Sequence, residues 1–332
     1  SPGTFGIWEK GNLKTFKYST LDNEKKELNK NQIVGKKLIL KNIKEHLMGD
    51  VNVGLALSSG IDSMAILSLI QKTKSSKKLI KNFSIDFGED FSEFKKVKRN
   101  TKLFKTDVEQ IRYYEEDVIN EFQNLLFVNE APLGGLMHMA LYKLFETAKE
   151  FKIKVILSGM GSDEIFLGYE SMRNLISNYS SNNRINLIDN TSLDNREIIK
   201  STFFDEISEE DTKNNLYDFL HTTKLPKNLQ MMDRISMINS IELRCPFVDQ
   251  EIYKFFSKFK ISEMISKNHT KILLRQMMTS LDKRISWYEK KKSIQSPQNI
   301  WMKKPILKEF FGDILLSSSQ INNLYFNKKK II

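Results

Sequence analysis

The sequence predicts an α/β fold: a parallel sheet of about five strands with flanking helices, followed by a mainly helical region. Three observations carry this. Short apolar runs at 53–57, 79–87, 107–111 and 154–157 alternate with longer stretches of helical periodicity, the pattern of strands joined by right-handed helical crossovers. Two of these runs stop in small-residue turns that carry an aspartate. From about residue 197 strand signals nearly vanish and helical periodicity takes over.

In chain order, Phe5–Trp8 and Leu13–Tyr18 flank a Lys10-Gly11-Asn12 turn and read as a hairpin. The polar segment Leu21–Gln32 reads as a linker. Ile33–Met48 places Ile33, Val34, Leu38, Ile39, Ile43 and Leu47 at helical spacing. Val53–Leu57 is a strand and Met64–Ile70 the apolar stripe of the helix that follows. Leu79–Phe87 is a second strand, ending at Gly88-Glu89-Asp90. Glu93–Phe104 is a helix, Asp107–Ile111 a third strand and Glu115–Phe127 a helix, before Pro132 breaks the pattern. Met137–Phe151 is a helix and Lys154–Leu157 a buried strand. Ser177–Asn195 is rich in Ser and Asn and reads as a surface insert. Residues 197–312 are helical in pattern, and Asn327–Ile332 is a tail. The domain reading is a connector hairpin and linker at 1–30, an α/β core at 31–170, an insert at 171–196, a helical part at 197–326 and a tail at 327–332.

Composition narrows the class. An apolar fraction of 40% suits a folded globular chain. No apolar run reaches the roughly 18 residues of a membrane helix, and no signal-peptide layout occurs, so a cytoplasmic protein without a membrane partner is expected. The single cysteine, Cys245, rules out an intrachain disulfide or a multi-cysteine metal site. The four histidines, His46, His138, His221 and His269, are scattered and read as structural or surface groups. The net charge of +11 would suit a nucleic acid. Its excess is lysine spread along the chain, in pieces such as 72–78, 95–105 and 328–330, which reads as a solvated surface, so a nucleic-acid partner is not expected.

The chemistry concentrates in two turns. Val53–Leu57 runs into Ser58-Ser59-Gly60-Ile61-Asp62-Ser63 and then a helix. A helix N-terminus with unpaired amides favours an anion, and the Ser58 and Ser63 hydroxyls add donors. Asp62 would repel a bare phosphate, but it fits a Mg²⁺ held between carboxylate and phosphate. No Lys follows the glycine, so this is not the Gly-x4-Gly-Lys nucleotide loop. The plainer reading is a strand-to-helix turn with a Ser cap. The second turn, Ser158–Tyr169, follows the strand at 154–157 and carries Asp163; its plainer reading is a helix start whose Asp163 and Glu164 oppose the dipole. Ligands of parallel sheets sit at the strand carboxyl ends, which puts the 58–63 turn, Phe87 and the 158–164 turn on one rim. Asp62 and Asp163 together are the minimum protein contribution to a Mg²⁺ held chiefly by triphosphate and water.

The Ser58–Ser63 turn resembles the SGGxDS loop of the N-type ATP pyrophosphatases. Ser158–Tyr169 is similar to the SGxGxDExFxGY segment of the asparagine synthetases. Asp233–Met237, Ile241–Asp249, Lys271–Arg275 and Lys291–Pro297 with Trp301 resemble that family's DRxSM, LExRxPFLD, KxxLR and KxGFxxP…W segments, in the family's order. Pro2-Gly3, Trp8, Gly11 and Tyr18 are similar to its interdomain connector. The resemblance covers almost the whole chain and implies an adenine nucleotide alpha-hydrolase-like core using ATP and Mg²⁺. It assigns Ser58, Ser59, Gly60, Asp62 and Ser63 to the pyrophosphate, Asp62 and Asp163 to the metal, and Leu57, Ile85 and Gly159 to the adenine and ribose. It assigns Lys291 a charge at the α-phosphate or transition state, Glu242 a role at the acceptor amine, and Arg244 the holding of Glu242 or the helical layer. Glu242–Arg244 also reads as a structural ion pair, and Lys291 as a surface lysine within 290–292.

The activity so implied is that of an AMP-forming carbon–nitrogen ligase. It adenylates a carboxylate, most simply that of aspartate, releases pyrophosphate, and transfers the acyl group to ammonia or another amine. The alternatives are intramolecular amide, lactam or macrocycle formation by the same chemistry, a tRNA-modifying pyrophosphatase, and a non-catalytic homologue. Expected partners are small molecules, with a glutaminase domain separate or missing, because the chain starts inside the connector without an initial cysteine nucleophile; a homodimer is compatible with this. Four positions depart from the family pattern. Ser59 replaces a Gly, which would cost on the order of 1 kcal/mol if φ there were positive. Met160 stands where asparagine-forming members have a carboxylate and ring-closing relatives can have Tyr. Tyr288 replaces an Arg, and Ser293-Ile294 replace Gly-Phe.

Overall fold

The structure, a computed structural model, describes residues 3–18, 31–73, 80–169, 220–221, 223–266, 268–289 and 296–317. It divides into two units, 1–30 and 31–332. In the first, β1 (Thr4–Glu9) and β2 (Asn12–Lys17) pair antiparallel with Glu9 opposite Asn12. Lys10 and Gly11 form the two-residue turn at φ 50° and 82°, the left-handed pair that matches the twist of a hairpin.

The second unit is built on a five-stranded sheet of β3 (Val53–Ala56), β4 (Ile80–Asp86), β5 (Val108–Arg112), β6 (Val155–Leu157) and β7 (Glu242–Arg244), in the order β5-β4-β3-β6-β7. Every pairing is parallel. Successive side chains point to opposite faces, and both faces are covered. Leu55, Leu57, Val155 and Leu157 pack into one core with α1 (Gln32–His46), α2 (Ile61–Lys72), α8 (Gln250–Phe256) and α10 (Ile272–Leu281). Phe83, Ile111 and Ile156 pack into a second core with α4 (Glu115–Asn129), α5 (Leu136–Glu150) and α7 (Lys224–Met237). The sheet is thus the middle of three layers. Among the described residues the remaining α-helices are α3 (Phe94–Leu103), α6 (Ser162–Phe166), α9 (Ile261–Met264), α11 (Gln298–Trp301) and α12 (Pro305–Ser317).

Local chemistry sets the helix boundaries. Asn31 caps α1 by accepting from the Ile33 amide at 2.8 Å, replacing a bond that the first turn lacks. Glu115, Glu116 and Asp117 in the first turn of α4 face its positive dipole end. That helix stops at Glu130, which adopts the left-handed conformation.

The described part of the mainly helical stretch 197–312 also supplies the fifth strand, Glu242–Arg244. It pairs with β6 as Val155↔Glu242, Ile156↔Leu243 and Leu157↔Arg244. A three-residue edge strand reading Glu-Leu-Arg has one apolar side chain, which joins the second core, so no apolar run announces it. The 171–196 insert and the 327–332 tail lie outside the described residues.

Candidate active site

At the carboxyl end of β3 the Leu57 amide donates to the Phe83 carbonyl at 2.8 Å, the last tie to the sheet. The chain then folds on its own hydroxyls. Ser63 Oγ accepts from the Ser58 amide at 3.0 Å and lies 3.1 Å from Ser58 Oγ, which accepts from the Gly60 amide at 3.1 Å. Gly60 caps α2 without a side-chain cap bond. The serines therefore shape the turn rather than capping the helix, and the amides of the first turn of α2 head it. Ser59 is absent from the residues with positive φ, so the anticipated backbone penalty does not arise. Its hydroxyl donates to Glu93 Oε2 at 2.7 Å, tying the turn to the start of α3.

The second turn leaves β6, β3's neighbour. A Cβ on Gly159 would lie 2.8 Å from the Asp62 Cβ and 3.2 Å from the Ser63 amide nitrogen. The two turns approach this closely only because residue 159 has no side chain. Asp163 follows on α6.

Asp62 and Asp163 converge on one cation of the protein itself. Lys271 Nζ lies 2.5 Å from Asp62 Oδ1 and 2.8 Å from Asp163 Oδ1, and donates to Ser162 Oγ at 2.8 Å. Its side chain is 4% exposed. Burial by itself would lower the lysine pKa; the two carboxylates outweigh burial and hold it above the ordinary value. A Cβ on Gly168 would collide with Asp163 Oδ1 and Lys271 Cε, so this glycine makes the room in which the pair meets. Lys271, Ser162 and Gly168 have no assigned site role in the sequence reading. The available signal was the lysine at the start of the Lys271–Arg275 segment.

The other site candidates fall as follows. Leu57, Ile85 and Gly159 stand at the carboxyl ends of three adjacent strands, β3, β4 and β6. Leu57 is buried in the first core, and Ile85 lies two residues past the Ala56↔Phe83 pair, level with the turn. Met160 is half-buried against both cores. Lys291 lies outside the described residues, as do Ser293 and Ile294. The Tyr288 ring sits edge-on to His269 at 5.3 Å. Burial pushes the Cys245 thiol up to about 12.

Glu242 stands on the edge strand of the sheet. It opens β7 opposite Val155, and its amide donates to the Lys154 carbonyl, so it belongs to the amino end of the sheet. The two turns leave the carboxyl end. Its carboxylate is bound by Arg244 Nε at 2.8 Å, and Arg244 Nη1 donates to the carbonyls of His46 and Met48 at 2.7 and 2.8 Å. The pair clamps the end of α1 to the edge strand.

Fold and site together define an open, parallel α/β protein whose polar centre lies where such sheets take ligands, at the carboxyl ends of neighbouring strands. The family model described as asparagine synthase matches residues 35–332, and the chain belongs to that family. The chain is 26% identical to glutamine-hydrolyzing asparagine synthetase 1 of Bacillus subtilis over 346 aligned positions, covering 89% of this chain and 54% of the relative. It is 30% identical to a putative glutamine-hydrolyzing asparagine synthetase 2 of Methanocaldococcus jannaschii over 163 positions, covering 48% and 31%. It is 31% identical to the amidase chyE of Penicillium rubens over 151 positions, covering 42% and 22%. The chain thus spans about half the length of the first of these relatives, and less of the others. Among solved structures, the U34-tRNA thiolase NcsA of Methanococcus maripaludis aligns with a TM-score of 0.32 at 9% identity, covering 87% of this chain and 81% of that one. Among the described residues no helix is long and apolar enough to cross a membrane.

Proposed function

We propose that this chain is the synthetase portion of an ATP-dependent, amide-forming ligase that adenylates a carboxylate. The single observation that supports it is the meeting of Asp62 and Asp163, from turns after two adjacent strands, around one cationic centre. The amides heading α2 and the Ser58 and Ser63 hydroxyls bind the β- and γ-phosphates, and Leu57, Ile85 and Gly159 border the adenosine. The donor set fits Mg²⁺, since two carboxylate oxygens reach a common point and this ion takes one or two carboxylates plus phosphate oxygens. Asp62 and Asp163 would hold it, and when bound it neutralises charge developing on the departing pyrophosphate.

The substrate carboxylate oxygen attacks the α-phosphorus, and the bond to the β-phosphate bridging oxygen breaks. Acyl-AMP and pyrophosphate result. An amine lone pair then attacks the acyl carbon, the bond to the AMP oxygen breaks, and the amine proton passes to solvent. The turns lower the barrier chiefly by holding the phosphates in line and excluding water. The family resemblance adds Lys291 as a positive charge at the α-phosphate.

Aspartate and ammonia are the simplest pair. Met160 favours a second reading, intramolecular amide formation, because a thioether neither carries a proton nor orients ammonia. Incubation with ATP, aspartate and ammonium is expected to release pyrophosphate, and Asp62→Ala to abolish that release. Equal release by the variant, or none with any acceptor, refutes the ligase. Turnover independent of aspartate and ammonium selects the second reading.

A further inference from the structure

We propose that the Lys271 ammonium is the resident occupant of the divalent-cation position between Asp62 and Asp163, so that the centre takes up its metal only together with a nucleotide. The inference rests on the reading above in one respect, that these two carboxylates are the metal's ligands.

The geometry is that of a filled cation site. Three oxygens surround Nζ: Asp62 Oδ1 at 2.5 Å, Asp163 Oδ1 at 2.8 Å and Ser162 Oγ at 2.8 Å. An ammonium has three protons to give, and here each has an acceptor. The surroundings are built around this arrangement. Lys271 sits at φ 56°, ψ 39° at the cap of α10, a left-handed conformation that persists in a non-glycine residue only where neighbours over-determine it. Gly168 leaves open the space that the Cε and the Asp163 carboxylate share.

The metal's needs are met only in part by the protein. Among the described residues no third Asp, Glu, His or Cys joins the two carboxylates. A free divalent ion would have to displace a buried ammonium from both carboxylates, leave that ammonium without an anion, and complete its own shell from water. A nucleotide changes each term. Its phosphates bring further oxygen ligands for the metal, and they offer the displaced ammonium, on its flexible four-carbon stem, a new anionic partner at the same rim. Metal and nucleotide therefore enter together, and Lys271 acts as a positioning residue that holds the carboxylates in register beforehand.

The test is a Mn²⁺ titration of the whole chain followed by electron paramagnetic resonance, with Asp62→Asn as the blank. Nucleotide-free wild type is expected to bind no Mn²⁺ that depends on Asp62, and to bind one equivalent once a non-hydrolysable ATP analogue is added. Lys271→Met, which keeps the stem and removes the charge, is expected to bind Mn²⁺ without nucleotide at least about tenfold more tightly than wild type, and to lose that binding when combined with Asp62→Asn. The proposal is overturned if nucleotide-free wild type binds Mn²⁺ through Asp62 as tightly as Lys271→Met does. It is also overturned if folded Lys271→Met binds none, or if the analogue fails to bring Mn²⁺ to wild type. If Lys271→Met does not fold, the two wild-type titrations against the blank decide alone. None of these readings needs turnover, so a failure to release pyrophosphate refutes the ligase and leaves this result standing by itself.

Discussion

Gly168→Ala is the sharpest structural probe of the centre. Residue 168 lacks the positive φ that would by itself exclude a side chain, so the effect of the methyl is steric. It would overlap Asp163 Oδ1 and Lys271 Cε and stand 2.8 Å from Asp163 Cγ. One of these side chains must leave. Lys271 is 4% exposed and anchored on Asp62 and Ser162 as well, whereas Asp163 is 41% exposed, so the Asp163 carboxylate gives way. Overpacking of this kind costs about 1–3 kcal/mol. In a chain of 332 residues each kcal/mol lowers the melting temperature by about 1–2 °C. A circular-dichroism melt reads this directly, and pyrophosphate release is expected to fall in parallel because one of the two carboxylates has been turned away. Gly312→Ala is the matched control. It lies in α12 with no atom within 4 Å of the added Cβ, and it is expected to gain about 0.5–1 kcal/mol from helix propensity. A Gly168→Ala protein that melts with wild type and keeps its activity would refute the packing of Asp163 against Lys271.

Four further outcomes are expected. Glu242→Gln should leave pyrophosphate release within about twofold of wild type and change stability by no more than about 1 kcal/mol, because the ion pair it breaks is solvent-accessible. Arg244→Ala should cost about 1 kcal/mol by releasing the His46 and Met48 carbonyls; a large loss of kcat in Glu242→Gln with unchanged folding would instead support a catalytic role for Glu242. Asp282 has its pKa raised by burial but lowered further by Arg284 and Ser68, to about 2 from the ordinary 3.8. Its stabilisation is therefore complete above about pH 4 and drains as the pH falls toward 2. The stability gap between wild type and Asp282→Asn should close over that range in denaturant titrations, and a constant gap would contradict it. Burial pushes Glu121 up to about 7 from 4.5, although Tyr113 donates to it at 2.9 Å. The folded state thus keeps a proton that the unfolded chain releases, and stability falls as the pH rises from about 4.5 through 7. Glu121→Gln should flatten that slope in melts at pH 5 and 8; an unchanged slope would assign it elsewhere.

Local pattern carried much of this protein. Four of the five strands are legible as apolar runs because parallel strands buried on both faces are apolar nearly throughout, and α1, α3, α4 and α5 are legible because each presents an apolar stripe to the sheet. The two aspartate-bearing turns are legible because each joins a buried strand to a helix through small residues. β7 is not, since a three-residue strand reading Glu-Leu-Arg becomes a strand only through its pairing with β6.

The sequence by itself determined the layer order, the polar rim and the two carboxylates on it, since each depends on residues adjacent in the chain. Only the tertiary structure decided that Lys271, 209 residues from Asp62, would stand between those carboxylates, that Gly168 would make room for it, and that Glu242 would belong to the other end of the sheet. Strand register and helix crossing set these three outcomes, and periodicity contains neither: it says which face a side chain occupies and leaves open which distant atom it meets.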